Sequence, residues 1–478
     1  MRNGPRLWIV LTIPPLIMLI SSWCGCGGND AASEESRVEL PASGPRESED
    51  YPPGFTFMEV PDPLSGDNPH CPEPDISMPE TGVTFTDACY STLLTKVTEA
   101  DGINGRHEYS RFDPFNADGS MILLVRDDGD FAVYRTASCP YNHAENRVAV
   151  TSAMEEPRWD REDPGVLWGL DGFQIVRDDV VSGERTVVKD FSSDPAIAPL
   201  LAAEPDIYRI TMREEGEASY DRRYWACVLQ GEEDDYRARY IFCWDREADE
   251  VLGLYEVQPG ESDIDWVGMS PLGNWVLIGG MDGNSGNIVG LTMADRQLRE
   301  FHRIDYTTAH ADVGLDADGN EVVVMQNSQT DNVDMLPLNH DTQPILEGQA
   351  GYAGTDRIPL LQLFYDSESP DGFSSGVHIS CNADGYCLVS THIEPGADER
   401  NWLDRTNVLI RLDPRHPRAF YLSKIYNTTG EYWEETHGAM SNDGSRMVWA
   451  CNWNRDPGCE EVFLLQLDMP SHWRELTE

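Results

Sequence analysis

One small corner recurs along this 478-residue chain. Asn116-Ala117-Asp118-Gly119-Ser120, Asp316-Ala317-Asp318-Gly319-Asn320, Asn382-Ala383-Asp384-Gly385-Tyr386 and Ser441-Asn442-Asp443-Gly444-Ser445 each stand before an apolar run. Asp tolerates left-handed or bridge geometry and Gly takes positive φ freely, so each segment reads as a tight reversal between strands. Degenerate copies lie at Asp163-Pro164-Gly165, Ser219-Tyr220-Asp221-Arg222 and Ser270-Pro271-Leu272-Gly273-Asn274. Aligned on the turn Asp or the residue in its place, the copies fall at 118, 163, 221, 272, 318, 384 and 443, with gaps of 45, 58, 51, 46, 66 and 59 residues. Short β-rich runs such as Met121 to Val125, Trp275 to Ile278 and Met447 to Ala450 follow the corners, and long helical periodicity is absent. The period predicts an all-β chain folded as a single seven-bladed β-propeller of four-stranded sheets. Pairing Thr92 to Val97 with Glu461 to Leu467 would close the ring and remove exposed sheet edges.

The N-terminus reads differently. Arg2 and Arg6 precede a short apolar run from Leu7 to Ile20, then Ser21, Ser22, Trp23, Cys24, Gly25 and Cys26. That order resembles a bacterial lipoprotein signal, with residues 1–26 as signal peptide and Cys26 as the acylated residue, Cys24 second. Trp23 stands where that family usually has Leu. Gly27 after the cysteine resembles the outer-membrane sorting class, so the resemblance implies an outer-membrane lipid anchor with the protein facing the periplasm or the cell surface. Residues 27–80 are rich in acidic residues, Ser, Pro and Gly, and read as a disordered acidic tether before a propeller domain at 81–478.

With 35 basic and 84 acidic side chains the formal net charge is −49, which repels phosphate backbones and argues against nucleic-acid partners. In an exported protein the cysteines read as disulfides, and the spacing pairs Cys227 with Cys243, Cys381 with Cys387, and Cys451 with Cys459. Cys71, Cys89 and Cys139 supply a further bridge and leave one odd thiol. A zinc site is the competing idea, but no C-x-x-C is present. The tryptophans Trp159, Trp168, Trp225, Trp244, Trp449 and Trp453 read as blade packing before a sugar platform.

The corner followed by a strand resembles the repeat of TolB-type and WD-type propellers over residues 82–468, best in Thr436-His437-Gly438-Ala439-Met440-Ser441-Asn442-Asp443-Gly444-Ser445-Arg446-Met447-Val448-Trp449. In such folds the strand before each corner lines the central channel, so residues six positions before the turn Asp share a height. His378, His437, Glu215, Asp312 and Trp266 stand at that offset, with Asp263, Asp265 and His310 close by. Imidazoles and carboxylates ringing a channel mouth suit a divalent metal or a sugar. The alternative is that they only hydrogen-bond neighbouring blades.

The histidines preceding successive corners are similar to those of oligogalacturonate lyases, seven-bladed propellers with a histidine-rich metal site. That resemblance implies His310, His378 and His437 as ligands to a divalent metal and Glu215 or His107 as acid/base; the channel ring itself offers Asp265, Trp266 and Asp312 as ligand-binding residues. No H-x-H pair is present where that family supplies two ligands. Nor is there a nucleophile elbow or a Walker loop. The sequence therefore favours an envelope-anchored binding module for a protein, peptide or glycan, held to the membrane by its lipid. The alternative is a metal-dependent polysaccharide lyase or hydrolase working at the channel.

Overall fold

Each of the seven corners turns an inner strand into the second strand of a small antiparallel sheet. The computed structural model describes residues 51–102, 104–151, 153–258, 261, 263–280, 286–308, 310–327, 329–342, 356–364, 376–394, 396–455 and 461–478. The signal peptide, Cys24, Cys26 and the tether up to residue 50 lie outside them.

Blade 1 holds Met121–Val125, Phe131–Arg135 and Arg147–Val150; blade 2 runs from Glu155–Trp159 to Glu184–Asp190. Blade 3 runs from Ile207–Thr211 to Glu250–Glu256, blade 4 from Ile264–Met269 to Phe301–Asp305, and blade 5 from Ala311–Leu315 to Ile358–Gln362. Blade 6 runs from Gly376–Ser380 to Arg418–Lys424. Blade 7 takes Ala439–Met440, Arg446–Cys451 and Phe463–Asp468 from the C-terminal part of the chain. Its fourth and fifth strands are Leu93–Lys96 and Thr84–Thr86, with Leu465 opposite Lys96 and Leu467 opposite Leu94. An early and a late segment of the chain thus share one sheet, and that sheet closes the ring.

The corners work as their composition requires. Ser219, Ser270 and Ser441 each accept at Oγ the N–H five residues on, at 2.9, 3.0 and 3.0 Å. Gly119 and Gly444 take φ of 66° and 70°, where a Cβ would be strained.

Apolar residues on the blade faces form the core. Trp225, Trp244 and Trp449 are fully buried, and Trp159 and Trp168 nearly so. Trp168 and Trp225 meet at 5.9 Å between ring centroids, joining blades 2 and 3. Burying one such indole is worth about 4–6 kcal/mol of transfer free energy before the ordering entropy is subtracted.

Two expectations are corrected. First, residues 51–80 are not a loose tether but a strap laid over blades 6 and 7. Met58–Glu59 adds a fifth strand to blade 6, opposite Tyr421 and Phe420. Glu73, 3 % exposed at its side chain, accepts the Tyr426 N–H at 2.6 Å and the Asn454 amide at 2.5 Å, and pairs with Arg405 at 3.5 Å. The composition is polar, but one buried carboxylate and a disulfide fix the path. Second, Cys227 and Cys243 do not pair. They lie on neighbouring strands of blade 3, but Cys227 stands opposite Phe242 and Ala226 opposite Cys243. That offset of one residue sends the two sulfurs to opposite faces of the sheet. Cys381–Cys387 is bonded across its corner, and the further bridge is Cys71–Cys89. Cys451 is a buried thiol donating to the Tyr426 carbonyl at 3.0 Å; Cys459 lies outside the described residues.

Glu73→Ala leaves the Tyr426 N–H without its acceptor and removes one of the two carboxylates beside Arg405, and should lower the unfolding free energy by about 1–3 kcal/mol in denaturant titration; a loose tether would make the change neutral. Alkylation without reduction, followed by peptide mass mapping, should label Cys227 and Cys243 in the unfolded chain and leave Cys71, Cys89, Cys381 and Cys387 unlabelled until reductant is added. A cross-linked Cys227–Cys243 peptide would contradict the register.

Candidate functional site at the channel mouth

The innermost strand of blade 1 is irregular. Val125 N–H donates to Arg106 O and Leu123 N–H to Pro114 O. One residue of one strand, Leu124, thus faces seven of the other, and residues 107–113 bulge out of the ladder into the channel. The bulge touches most other blades. Arg158 of blade 2 pairs with Glu108 at 2.8 Å, Arg111 pairs with Glu215 at 3.4 Å, and the Arg111 guanidinium lies 4.3 Å above the Trp266 ring. Tyr109 packs against His378 and His437, with ring centroids 5.6 and 5.0 Å away.

Around Tyr109 the imidazoles gather. The His378 and His437 rings are 4.2 Å apart, and His310 and His392 each stand 5.5 Å from His378. Glu435 lies between the first two: its Oε2 is 2.9 Å from His378 Nε2 and 3.4 Å from His437 Nε2. The ligand atoms of these three residues all lie within 4.8 Å of one another. Glu435 is held there by the short 3-10 turn Tyr432–Glu434. Glu434 Oε2 accepts the N–H groups of Gly430 and Glu431, and Asn427 donates to Glu434 O at 2.5 Å. His437 itself has a φ of 41°. That left-handed geometry costs a residue with a Cβ about 1–2 kcal/mol and is stored where the surroundings fix it. Here Arg106 donates to His437 Nδ1, and His107 Nε2 donates to the His437 carbonyl at 2.6 Å.

Burial decides the protonation of the group. His107, His378 and His392 are pushed down to about 3 and His310 to about 4, by desolvation first in every case. His437 is driven well below its ordinary value by desolvation and then by Arg106. All five are neutral at pH 7. Glu215 moves the other way, up to about 7, because burial outweighs Arg111 and the neighbouring Asp265 adds repulsion.

The six-before-corner rule brings His378 and His437 together as expected. It also sets Glu215 and Trp266 against Arg111. Asp312 behaves structurally: its Oδ2 accepts the Cys381 N–H at 2.6 Å and joins blade 5 to blade 6. His310 neighbours the trio without joining it. His107 is 1 % exposed and turned under His437, which leaves Glu215, 29 % exposed at its side chain, as the acid/base candidate facing the mouth. Asp265 is half-buried beside it, its carboxyl raised by burial against Arg111 and Arg213. Glu435, Arg106, Tyr109 and His392 were not singled out from the sequence. Glu435 lies two residues before His437, and an acidic residue near a channel histidine was the one available signal.

Comparison of the sequence with known protein families and with curated proteins finds no match. Among solved structures, the chain is similar to an oligogalacturonate lyase from Vibrio parahaemolyticus at 12 % identity, with a TM-score of 0.51 over 82 % of this chain and 97 % of that one. It is also similar to an oligogalacturonate lyase in complex with manganese at 11 % identity, with a TM-score of 0.52 over 84 % and 98 %. At these identities the likeness is one of fold: this chain is a seven-bladed β-propeller.

Proposed function

We propose that the channel mouth binds one divalent metal ion and that the protein is a metal-dependent lyase or hydrolase of acidic saccharides. The observation that carries this reading is the convergence of His378, His437 and Glu435. Ligands held about 2.1 Å from one ion are separated by about 3.0 Å in octahedral and about 3.4 Å in tetrahedral geometry. The two Glu435 contacts, 2.9 and 3.4 Å, match those spacings. Two imidazoles and a carboxylate suit Mn or Zn. The neutral imidazoles are in the ligating form. Nδ1 of His378 has no hydrogen-bond partner among the described residues, so the ring proton can reside there when Nε2 ligates. At His437 the same shift requires Arg106 to withdraw from Nδ1, which makes His378 and Glu435 the firmer pair. The manganese found with one structural neighbour supports the reading.

A bound ion would polarise a substrate carboxylate or carbonyl and acidify the adjacent C–H. Glu215, poised near neutrality, would take that proton. Tyr109, whose hydroxyl stays protonated because burial and Glu215 hold its pKa well above the ordinary value, would donate to the departing oxygen. Arg111 and Arg213 would offset the repulsion between an acidic saccharide and an acidic protein. The two disulfides support an oxidising compartment, and with it the proposed export and lipid anchoring at Cys26 in the outer membrane.

The binding-module reading is favoured by a different feature. Tyr208 and Tyr236, each 39 % exposed, form an edge-to-face pair at 6.2 Å, and Arg213 donates to the Tyr236 carbonyl. Exposed aromatic pairs of this kind stack on sugar rings. Glycan binding without turnover would favour this reading.

Chelator-treated protein should take up one Mn or Zn equivalent in calorimetry, and His378→Ala and Glu435→Gln should each weaken binding at least about tenfold. No uptake, or variants that bind like the wild type, would remove the metal. With metal restored, polyuronate fragments should yield the ultraviolet-absorbing unsaturated product if the reaction is elimination.

A second check needs no metal. His107 is neutral in the folded protein down to about pH 3 but takes a proton near pH 6.5 when unfolded. Between those values the unfolded chain binds the extra proton, so stability at this site is lost as pH falls. The difference in unfolding free energy between wild type and His107→Gln should be constant above pH 7 and move in favour of the variant below pH 6.5, by about 2.7 kcal/mol at pH 4.5.

A further inference from the structure

A second concave site lies in the channel and shares no residue with the trio of His378, His437 and Glu435. Its larger cavity, about 30 Å³, is lined by Arg111, Trp266, Tyr220 and Asp312 and bounded by the corner residues Pro271 and Asn382. A smaller one of about 10 Å³ is lined by Arg158, Arg161 and Arg222 and shares Phe112, Glu217 and Asn382 with it. Together they hold two or three water-sized spheres.

The lining is unusual for a chain of net charge −49. Four guanidinium groups converge on it, and three of these side chains are 7 % exposed or less: Arg111, Arg158 and Arg222. Their donors outnumber the acceptors. Among the described residues, Arg111 Nε, Arg158 Nε, Arg222 Nε and Nη1, and the Trp266 indole N–H all lack a hydrogen-bond acceptor although each is buried. Leaving one such donor dry costs about 1–3 kcal/mol, and a charged one more. A fold that leaves this many in one place implies an acceptor there.

The carboxyls in the lining do not meet that need. Glu215 also lines the larger cavity but is engaged with Arg111 at 3.4 Å, and Glu217 is committed to Arg222 at 2.7 Å. Asp312 accepts the N–H groups of Cys381 and Val313. Asp113 accepts those of Phe115 and Asn442. Burial also pushes Asp113 up to about 8 and Asp312 to about 7, which lowers the negative charge they bring.

We propose that the cavity under Arg111 and Trp266 is a binding site for a small inorganic monoanion of halide size. The anion accepts from the Trp266 indole and from the free edge of Arg111. It thereby locks the bulge 107–113, and with it Tyr109, against blades 3 and 4. A polyatomic oxyanion such as sulfate exceeds the space, and a water would have to place its own two protons where the nearby carboxylates are already engaged by the guanidinium groups.

The experiment uses the whole mature protein in chloride-free buffer, with gluconate holding ionic strength constant so that general screening of an acidic protein is cancelled. Chloride and bromide should raise the unfolding temperature saturably, and acetate should not. Trp266→Phe, which removes one donor and keeps the ring, should raise the half-saturating bromide concentration about tenfold. Arg111→Lys, which keeps the charge and loses the fork, should do the same. Bromide-soaked crystals should show an anomalous peak beside the Trp266 indole. Equal responses to halide and gluconate, an acetate response without a bromide response, or water in place of the peak would each overturn the proposal. Should either variant fail to fold, the wild-type titration and the anomalous peak still decide the matter.

Discussion

The ring depends on polar ties between neighbouring inner strands and their corners. Asn116 of blade 1 donates to Pro164 O of blade 2, and Arg222 of blade 3 to Trp159 O of blade 2. The Tyr220 N–H meets Pro271 O, and Glu321 accepts the Leu272 N–H. Asp312 takes the Cys381 N–H, Asn382 donates to Met440 O, and Asp113 accepts the Asn442 N–H. All seven junctions are tied, each at a corner or on the inner strand beside it. Apolar packing between blade faces is strong but non-directional. These buried hydrogen bonds set the angle between blades, because a missed one leaves a desolvated group unpaired.

The same corners were the legible part of the sequence. Asp-Gly turns carry their own chemistry, so Asp118, Asp318, Asp384 and Asp443 announced four corners outright, and the spacing recovered three more. The height of His378 and His437 followed from counting back from those corners. Other features had no such periodic signal. The bulge 107–113 interrupts the inner strand of blade 1 and carries no recurring turn residues that would announce it. Glu435 reaches the histidines from a 3-10 turn outside any strand, so the counting rule does not address it. Cys227 and Cys243 were the right distance apart for a hairpin bridge, but parity of register, invisible without the partner strand, separates them. Residues 51–80 have the composition of a tether, and their order rests on tertiary contacts made by a few residues such as Glu73 and Trp453, whose indole N–H donates to Ile76 O.

The charged side chains of the channel concentrate where the repeat is broken. The regular blades supply backbone scaffolding and equivalent heights. The irregular segments, the bulge from blade 1 and the turn carrying Glu435, bring the charges. The result is a channel with neutral imidazoles and one carboxylate in one group, and a converging set of guanidinium groups in another. An acidic surface encloses both, and their local charge differs from that of the exterior because each is paired within a dry interior.

The shared sheet of blade 7 has a consequence for how the chain matures. Leu93–Lys96 pairs with Thr84–Thr86 along one edge, but along the other its neighbour is Phe463–Asp468, and Thr98 Oγ accepts the N–H of a residue 366 positions later. A ribosome makes the early strand first and its neighbour almost last, so through most of synthesis that strand has an unsatisfied edge. Contacts of such long sequence separation form slowly, and open edges invite aggregation meanwhile. The final forty residues therefore act as the latch of the assembly. A chain cut short before them keeps most of its blades but has no way to become a circle.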